Sequence, residues 1–371
     1  MKITMFGHKR IPSREGGVEI VVEELSTRMA ALGHQVVCYN RGGHHVSGRE
    51  FDGRKYAQYR GVELKQVPTL DKKGLAAVSS SFFAALRSAF GKADVVHIHA
   101  EGPAFMCWLP KLMGKRVIVT VHGLDWQREK WKSGFGAKYI RAGEKMAVRW
   151  ADEIIVLSHN VQRYFLDTYG RKTVYIPNGV TMPEVRNAAK ITELFGLNKD
   201  EYILFLGRLV PEKGIHYLID AYRRINTDKK LVIAGGVSDT DDYVHLLQEQ
   251  SRGDDRILFT GFVQGEILEE LYSNAYLYVL PSDVEGMPLS LLEAMSYGNC
   301  CLTSDIEECA SVTCDAGVTF KQGNVSDLAG KLEELCDSPD RVTGYKQRAA
   351  DHVLQQYNWD DIARETLELY R

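Results

Sequence analysis

Short apolar runs alternate with amphipathic stretches along the whole chain. Runs of strand length lie at 2–7, 35–39, 94–99, 116–122, 153–158 and 173–177, and again at 202–207, 230–235, 256–261, 276–280, 300–303 and 318–320. Between them, apolar residues recur at helical spacing, as at positions 18, 21, 22, 25 and 29. This alternation of strands and helices predicts an α/β fold built on parallel sheets.

A polar segment divides the pattern into two series. Residues 181–200 are polar and hold a proline and several charges, as is typical of a connection. We therefore predict two Rossmann-like domains, 1–178 and 201–350, joined by a linker at 179–200 and followed by a final segment at 351–371. The two parallel sheets are expected to face a deep cleft, which is where an α/β protein of this kind commonly holds its ligand.

The segment 283–293 places two carboxylates on either side of a predicted helix start. Glu285 is expected on the entry loop and Glu293 inside the helix, because Pro288 suits the first helical turn. A carboxylate accepts hydrogen bonds from paired hydroxyls, and helix-start N–H groups hold anions. The pattern suits a sugar joined to phosphates, although a Glu pair at this spacing also occurs on ordinary solvated helices.

Two cations flank a predicted strand-to-helix turn in the second series. The run 202–207 ends in glycine and leads through Arg208 and Lys213 to a helical pattern that starts at Ile215. Such a turn lies at the carboxyl end of a parallel strand, where open α/β sheets bind ligands. Arg208 and Lys213 are therefore candidates for clamping a diphosphate.

Two features of the first series are suggestive and weak on their own. Gly16 and Gly17 precede the amphipathic stretch 18–32, so they predict a helix start that a phosphate can approach closely, or equally an ordinary turn. His122 follows the apolar run 117–121 at the predicted carboxyl edge of a strand. A lone histidine at such an edge is more often structural than functional.

Taken together, these motifs resemble one family. The matching segments, in order, are Arg14-Glu15-Gly16-Gly17-Val18-Glu19, His122-Gly123-Leu124-Asp125, Ile176-Pro177-Asn178-Gly179-Val180, the loop from Gly207 to Gly214, and the stretch from Glu285 to Glu293. The chain resembles the retaining, nucleotide-sugar-dependent glycosyltransferases of family 4, which have the two-Rossmann-domain GT-B fold. The resemblance covers nearly the whole chain.

For the first domain, the resemblance implies an acceptor side that also contacts the donor. Gly16 and Gly17 would meet the donor diphosphate, His122 would contact the donor sugar near the reacting carbon, and Asp125 would fix the loop. The final segment resembles the family's closing helix, which crosses back to the amino-terminal domain with Trp359 as a packing anchor.

For the second domain, the resemblance implies a nucleotide-sugar site. Arg208 and Lys213 would stabilise the departing phosphate, Glu285 would contact the sugar hydroxyls, and Glu293 the ribose hydroxyls. The remaining residues expected around the nucleotide are Phe262, Val263, Gly286, Met287, Pro288 and Leu289.

The implied reaction is sugar transfer with retention of anomeric configuration. UDP is the favoured nucleotide, and the acceptor is expected to be a saccharide or lipid-linked saccharide of a capsule, O-antigen or exopolysaccharide. A nucleotide-sugar 2-epimerase of the same fold and a non-catalytic sugar-nucleotide-binding protein remain as alternatives. A dinucleotide-dependent dehydrogenase is disfavoured, because Gly7 to Gly17 does not supply the Gly-x-Gly-x-x-Gly pattern.

Composition adds exclusions. The net charge of -3 disfavours a general nucleic-acid binder. Seven cysteines form no Cys-x-x-Cys pair, and Cys38, Cys300 and Cys301, which lie in apolar runs, are predicted to be small buried hydrophobes. No cofactor or metal is expected: Asp239-Thr240-Asp241 is interpreted as a solvated turn and His44-His45 as part of a loop. Since no apolar run is long enough to span a membrane and the start reads as a strand, we expect a cytoplasmic protein.

A basic segment predicts contact with an anionic membrane surface. From 128 to 149 there are seven Lys or Arg against two Glu. The interleaved aromatics are Trp126, Trp131, Phe135 and Tyr139. Cations that meet anionic lipid and aromatics that enter the headgroup layer would give peripheral attachment. The alternative is a solvated helix with some core aromatics.

Overall fold

The computed structural model of the chain describes residues 1–43, 57–70, 72, 74–127, 134–236 and 241–371. These residues divide into two compact units. The N-terminal unit is Met1–Asn178 with Trp359–Arg371, and the C-terminal unit is Gly179–Asn358. Among the described helices, none is both long and apolar enough to cross a membrane.

The N-terminal unit is built on one largely parallel sheet. Its described strands, in sheet order β3-β4-β2-β1-β5-β6-β7-β8, number eight. Their bounds in chain order are β1 Lys2–Phe6, β2 Gln35–Arg41, β3 Gln58–Tyr59, β4 Val62–Val67, β5 Val95–His99, β6 Arg116–Val121, β7 Glu153–Val156 and β8 Val174–Tyr175. The short β3 is antiparallel to β4. The predicted parallel sheet is confirmed for the other strands. Strands β3 and β4, at one edge of the sheet, were not predicted.

The helices of this unit cover the sheet. They are α1 Gly17–Ala31, α2 Leu75–Phe90, α3 Glu101–Ala104, α4 Trp108–Leu112, α5 Gly134–Trp150 and α6 His159–Tyr169. Helix α1 buries Val21, Val22, Leu25 and Met29, four of the positions that carry its sequence periodicity. Helix α6 is capped by Ser158, whose side chain accepts from the Val161 N–H.

The C-terminal unit repeats the plan with an all-parallel sheet. Its described strands have the order β11-β10-β9-β12-β13-β14. Their bounds are β9 Tyr202–Leu206, β10 Lys230–Ala234, β11 Ile257–Gly261, β12 Leu277–Leu280, β13 Cys301–Ser304 and β14 Val318–Phe320. The helices are α7 Lys190–Phe195, α8 Ile215–Tyr222, α9 Asp241–Ser251, α10 Glu266–Asn274, α11 Leu289–Ser296, α12 Glu307–Thr313, α13 Val325–Cys336 and α14 Pro339–Gln356.

Two predicted boundaries differ from the structure. The segment 179–200 belongs to the C-terminal unit, because Ile191 of α7 and Leu197 are fully buried in it. The Glu270 carboxylate accepts from the N–H groups of Ala189 and Ile191 and holds this segment in place. Helix α14 continues past residue 350 to Gln356, because Val353 is also buried there.

The chain returns to the N-terminal unit only at helix α15, Trp359–Glu368. Trp359 is buried, and Arg28 of α1 donates to Asp360 at 2.7 Å. Beyond the helix, Arg116 Nε donates to the Leu369 carbonyl at 2.6 Å. The last residues of the chain are thus hydrogen-bonded to the first unit at both α1 and β6.

Each sheet contains one point at which its strand order reverses. In the N-terminal unit the chain moves outward from β1 to β2 on one side, while β5 to β8 extend on the other. In the C-terminal unit β9 has β10 on one side and β12 on the other. The connections diverge there and leave room at the carboxyl ends of the strands, so these two points are the expected ligand sites.

One helix contact gives a stability prediction. A Cβ at Gly143 of α5 would lie 2.0 Å from the Glu101 carbonyl oxygen of α3. Since neither backbone can yield easily, Gly143→Ala should destabilise the protein by about 1–3 kcal/mol, as overpacking does. Thermal unfolding followed by circular dichroism measures this.

The matched control is Gly344→Ala in α14, where a Cβ meets nothing within 4 Å. This change should stabilise the protein by about 0.5–1 kcal/mol, because alanine is the better helix former. Equal midpoints for wild type and Gly143→Ala would show that α3 and α5 are not in close contact.

Candidate functional site

Two loops meet at the switch point of the C-terminal sheet. The loop after β9 runs from Gly207 to Gly214, and the loop after β12 runs from Pro281 to Pro288. Gly214 has φ +65°, and a Cβ on it would lie 2.0 Å from the Pro281 carbonyl oxygen. The Asp283 N–H donates to the Glu212 carbonyl at 2.8 Å. Only glycine allows the first loop to approach the second so closely.

Lys213 and Glu285 form an ion pair across these loops. Lys213 Nζ lies 2.5 Å from Glu285 Oε1, and the Ser282 hydroxyl donates to the same oxygen at 2.7 Å. Their side chains are 13% and 9% exposed. Water screens so buried a pair poorly, which fixes both charges in position. The two sequence-predicted residues, 72 positions apart, are brought together by the strand order.

An ammonium has three donors, so Lys213 can bind Glu285 and an anion together. Arg208 lies half-buried on the same loop, directly after Gly207. The loop after β9 also passes close to the end of β10: a Cβ at Gly235 would lie 1.8 Å from the Gly207 carbonyl oxygen. A small ligand could therefore meet backbone and cation together here.

Glu293 lies inside helix α11, as predicted, but the helix begins one residue later than expected. Pro288 is the N-cap residue, with φ -77° and ψ 104°, and Leu289 is the first helical position. Pro288 therefore does not lie in the first turn, because its extended backbone still belongs to the entry loop. The segment from Gly286 to Leu289 is buried.

Tyr272 is a residue of this site that sequence reasoning missed. Its hydroxyl lies 3.3 Å from two acceptors, Glu293 Oε2 and the Ser290 carbonyl oxygen, and its ring stacks on that of Tyr297 with the centroids 5.3 Å apart. Burial and the Glu293 charge raise the pKa of Tyr272 well above its ordinary value. Tyr272 therefore remains a hydrogen-bond donor beside the Glu293 carboxylate and the Ser290 carbonyl.

Phe262 and Val263 directly follow β11 and are half-buried. A Cβ at Gly236 would lie 3.5 Å from the Phe262 side chain, so the ring covers the backbone at the end of β10. The predicted base-binding segment thus lies at the same carboxyl edge of the sheet as Lys213. Its role with a nucleotide stays a prediction.

In the N-terminal unit, Gly17 opens helix α1 and Gly16 is its N-cap. The carboxylate of Glu19 folds back over this start: Oε1 accepts from the Lys9 N–H at 2.8 Å, and a Cβ at Gly16 would lie 2.6 Å from Oε2. A negative group at a helix start satisfies the helix dipole. Gly16 therefore provides space for Glu19, and the phosphate contact predicted for Gly16 and Gly17 must compete with this carboxylate.

A histidine cluster lies beside the switch point of the N-terminal sheet. His97 and His99 of β5 are fully buried, and His122 directly follows β6. His99 Nδ1 lies 3.1 Å from His122 Nε2. The ring centroids of His97 and His99 are 4.2 Å apart. His122 is thus the edge of a buried cluster rather than a lone histidine.

Other groups hold the innermost ring of this histidine cluster. His97 Nδ1 lies 2.6 Å from the Tyr370 hydroxyl and His97 Nε2 lies 2.7 Å from the Thr120 hydroxyl. Burial lowers the pKa of His97 to about 3, and burial with its neighbouring imidazoles lowers the pKa of His99 well below the usual range. Both rings are therefore neutral at physiological pH.

A buried carboxyl pair supports the loop after His122. The Asp125 N–H donates to Glu101 Oε2 at 2.8 Å, and the buried Glu144 carboxyl lies close enough to Glu101 to raise its pKa. Glu144 also accepts from the hydroxyls of Tyr164 and Tyr169. Burial, followed by the Asp125 and Glu144 carboxyls, raises the pKa of Glu101 well above its ordinary value. Glu101 therefore favours its neutral form and anchors the Asp125 turn.

The basic segment combines two kinds of residue. Lys138, Arg141, Lys145 and Arg149 are exposed on α5 at spacings of three and four, which places them on one face. The described aromatics pack against the protein: the ring centroids of Trp126 and Tyr164 are 6.0 Å apart, and those of Tyr139 and Phe105 are 5.2 Å apart. Arg141 lies over the Trp126 ring, 4.5 Å from its centroid. Residues 128–133 and the Phe135 side chain lie outside the described part.

No metal centre is found in the described part of the chain, where no group of three or more His, Cys, Asp or Glu could hold an ion. Asp239-Thr240 of the predicted Asp-x-Asp turn lie outside the described residues, as does the side chain of Asp241. His44-His45 lie outside them as well. Both interpretations therefore stay predictions.

Two family models match the chain in tandem. The model described as Glycosyltransferase Family 4 matches residues 15–182, and the one described as Glycosyl transferases group 1 matches residues 189–352. An uncharacterized glycosyltransferase from Methanocaldococcus jannaschii is 25% identical, over 100% of this chain and 98% of its own length.

Solved structures agree on the fold. Sucrose-phosphate synthase from Thermosynechococcus elongatus has a TM-score of 0.80 at 21% identity, covering 100% of this chain and 98% of its own. Anabaena HepE in complex with UDP-glucose has a TM-score of 0.80 at 16% identity, covering 99% and 98%.

Proposed function

We propose that this chain, which belongs to the GT-B glycosyltransferases, transfers a sugar from a nucleotide-sugar donor to a saccharide or lipid-linked saccharide with retention of anomeric configuration. The observation that carries the proposal is the Lys213–Glu285 pair at the switch point of the C-terminal sheet. It places a fixed cation and a fixed carboxylate where such sheets bind ligands.

Lys213 meets the main electrostatic demand of the reaction. Breaking the bond between sugar and diphosphate leaves negative charge on the departing phosphate, and cations fixed beforehand stabilise that charge. Glu285 and the tight Gly214 turn hold the Lys213 ammonium in place. Arg208 on the same loop supplies a second cation. We infer that these two side chains do the work for which other transferases use a metal.

The two glutamates have separate roles. Glu285 accepts hydrogen bonds from the sugar hydroxyls while it balances Lys213. Glu293, which lies beside the Tyr272 hydroxyl, accepts from the two ribose hydroxyls of the nucleotide. The burial of 286–289 suits a backbone wall beside the diphosphate. His122 and Asp125 act from the N-terminal unit, where His122 contacts the donor sugar.

UDP is the nucleotide that we propose, and a UDP-glucose complex of the structurally similar Anabaena HepE supports it. The acceptor belongs to surface-polysaccharide assembly, in line with the sequence resemblance. The leaving phosphate takes the acceptor proton on the front face of the sugar, which explains retention without a covalent nucleophile.

A panel of nucleotide sugars tests the function. Purified protein should release nucleoside diphosphate from one donor, most readily a UDP-sugar, and should do so in EDTA. The variant Lys213→Ala should lower kcat by about 10² or more, the range for removing one fixed donor at a developing anion. Release that is lost in EDTA and restored by Mn²⁺ would contradict the metal-free reaction. If Lys213→Ala released nucleoside diphosphate as fast as the wild type, Lys213 would have no role in catalysis.

Glutamine substitutions separate the two glutamates. Glu285→Gln should lower kcat more than it weakens UDP binding, because its carboxylate acts on the sugar. Glu293→Gln should instead weaken UDP binding by about 1–3 kcal/mol, the range for a disturbed charged hydrogen bond. Calorimetric titration with UDP measures the second effect. Equal UDP affinities in wild type and both variants would mean that Glu293 does not bind the ribose.

A lipid-linked acceptor would require attachment to a membrane, and the basic face of α5 suits it. About 1 kcal/mol per basic residue near an anionic surface gives reversible, salt-sensitive binding. We attribute this attachment to the charges, because the half-buried rings of Trp126 and Tyr139 pack on Tyr164 and Phe105. The protein should co-sediment with phosphatidylserine vesicles at low salt and not with neutral vesicles.

Two triple variants sharpen the vesicle experiment. Lys138→Glu/Lys145→Glu/Arg149→Glu should abolish co-sedimentation. The control Lys199→Glu/Arg252→Glu/Arg348→Glu makes the same charge change at exposed sites of the C-terminal unit and should retain it. If both variants lose binding equally, net charge rather than the α5 face attracts the protein, and a soluble acceptor becomes the better proposal.

A further inference from the structure

The contact between His99 and His122 limits how protons are arranged on both rings. A neutral imidazole carries one proton, so one ring nitrogen donates and the other accepts. At the 3.1 Å contact, either His99 Nδ1 donates to His122 Nε2 or the reverse. The two arrangements place the remaining proton of each ring on different atoms.

Burial decides between them. His99 Nε2 is buried and has no hydrogen-bond partner among the described residues. If His122 donated to His99, the His99 proton would sit on Nε2 as a buried N–H without an acceptor. Orphaned buried N–H groups are rarer in proteins than unpaired acceptors. The favourable arrangement therefore has His99 Nδ1–H donating to His122 Nε2.

We propose that His99 is a positioning residue that fixes His122 as the neutral tautomer protonated on Nδ1. Because His122 Nε2 already accepts the His99 proton, the proton of His122 stays on Nδ1. With the proton held on Nδ1, His122 does not serve as a general base through that atom. The tautomer stands by itself, while its use on the donor sugar rests on the proposed function.

His97 keeps His99 in place without setting its tautomer. The His97 ring lies tilted against the His99 ring and is held by Thr120 on one side and Tyr370 on the other. Both partners are hydroxyls, which can donate or accept. Of the contacts that His97 and His99 make, the His99–His122 bond is therefore the one that reaches His122.

A fixed proton on His122 Nδ1 bears on the choice between a transferase and an epimerase. An epimerase needs groups that take and return a proton near the sugar. With its proton fixed on Nδ1, His122 cannot take a proton at that atom, which disfavours an epimerase role for it.

Long-range proton–nitrogen NMR on protein labelled with ¹⁵N-histidine reads the tautomer directly. At pH 7.5 and without ligand, His122 should show a protonated Nδ1 and an unprotonated Nε2. The His122→Gln variant assigns its signals by their disappearance. A wild-type His122 that is protonated on Nε2, or that averages between the two tautomers, overturns the proposal. This measurement on the wild type needs no active enzyme and no altered fold.

His99→Leu supplies the second measurement. Without the Nδ1–H donor, the His122 signals should move toward the Nε2–H or averaged pattern. With the donor found in the panel, kcat should fall about three- to tenfold, the equivalent of one hydrogen bond. Tyr370→Phe is the matched control: it removes the bond to His97, keeps His99, and should leave the His122 pattern unchanged.

The outcomes separate this inference from the proposed function. If no nucleotide sugar is turned over but His122 shows the Nδ1–H pattern, the function fails and the His99 assignment stands. If His99→Leu changes the tautomer without changing kcat, the positioning role in transfer is overturned. If Tyr370→Phe alters the His122 pattern as much as His99→Leu does, the whole cluster sets the tautomer and His99 has no special role.

Discussion

The reversal of strand order in each sheet is the constraint on which the rest of the arrangement depends. Helical connections that leave in opposite directions cannot cover the carboxyl ends of the two central strands. The loops after β9 and β12 are therefore neighbours in space although they are far apart in sequence. Lys213 and Glu285 can form a short ion pair only because of this topology.

The Lys213–Glu285 pair is better understood as a functional device than as a source of stability. Removing two charges from water costs free energy that their attraction repays only partly, and apolar replacements are often as stable. What the pair provides is geometry, since each charge holds the other where the two loops meet. A cation fixed in this way needs no reorganisation when charge develops on a phosphate.

The sequence predicts the fold well where the chain is uniformly apolar. Strands such as β9 and β12 are recognised because buried parallel strands are continuous hydrophobic runs. Strand β4 is missed because it alternates, with Lys65 exposed, and follows a glycine-rich stretch. The lengths of α7 and α14 depend on burial of Ile191 and Val353 against distant elements, which local pattern does not reveal.

The site residues divide in the same way. Lys213 and Glu285 could be found because they punctuate loops, where charge and glycine are conspicuous. His97, His99, Glu101 and Glu144 could not, because inside an apolar strand or a charged helix they look like ordinary core or solvated residues. A buried polar side chain is recognised by the hydrogen-bond partner that it needs. For these four residues, that partner is brought close only by the tertiary structure.

Burial also explains why the hidden groups carry chemistry. An imidazole or carboxyl group inside a protein must be neutral or paired, since an isolated charge there is too costly. When two neutral imidazole rings are hydrogen-bonded, one must donate and the other must accept. The contact between His99 and His122 therefore links the tautomer of one ring to that of the other. The backbone between His99 and Glu101 is strained, because Ala100 is not a glycine and yet adopts φ +77°. Such strain persists only where the surrounding structure fixes the residue, and here the histidine cluster lies on one side of Ala100 and the Glu101–Glu144 pair on the other.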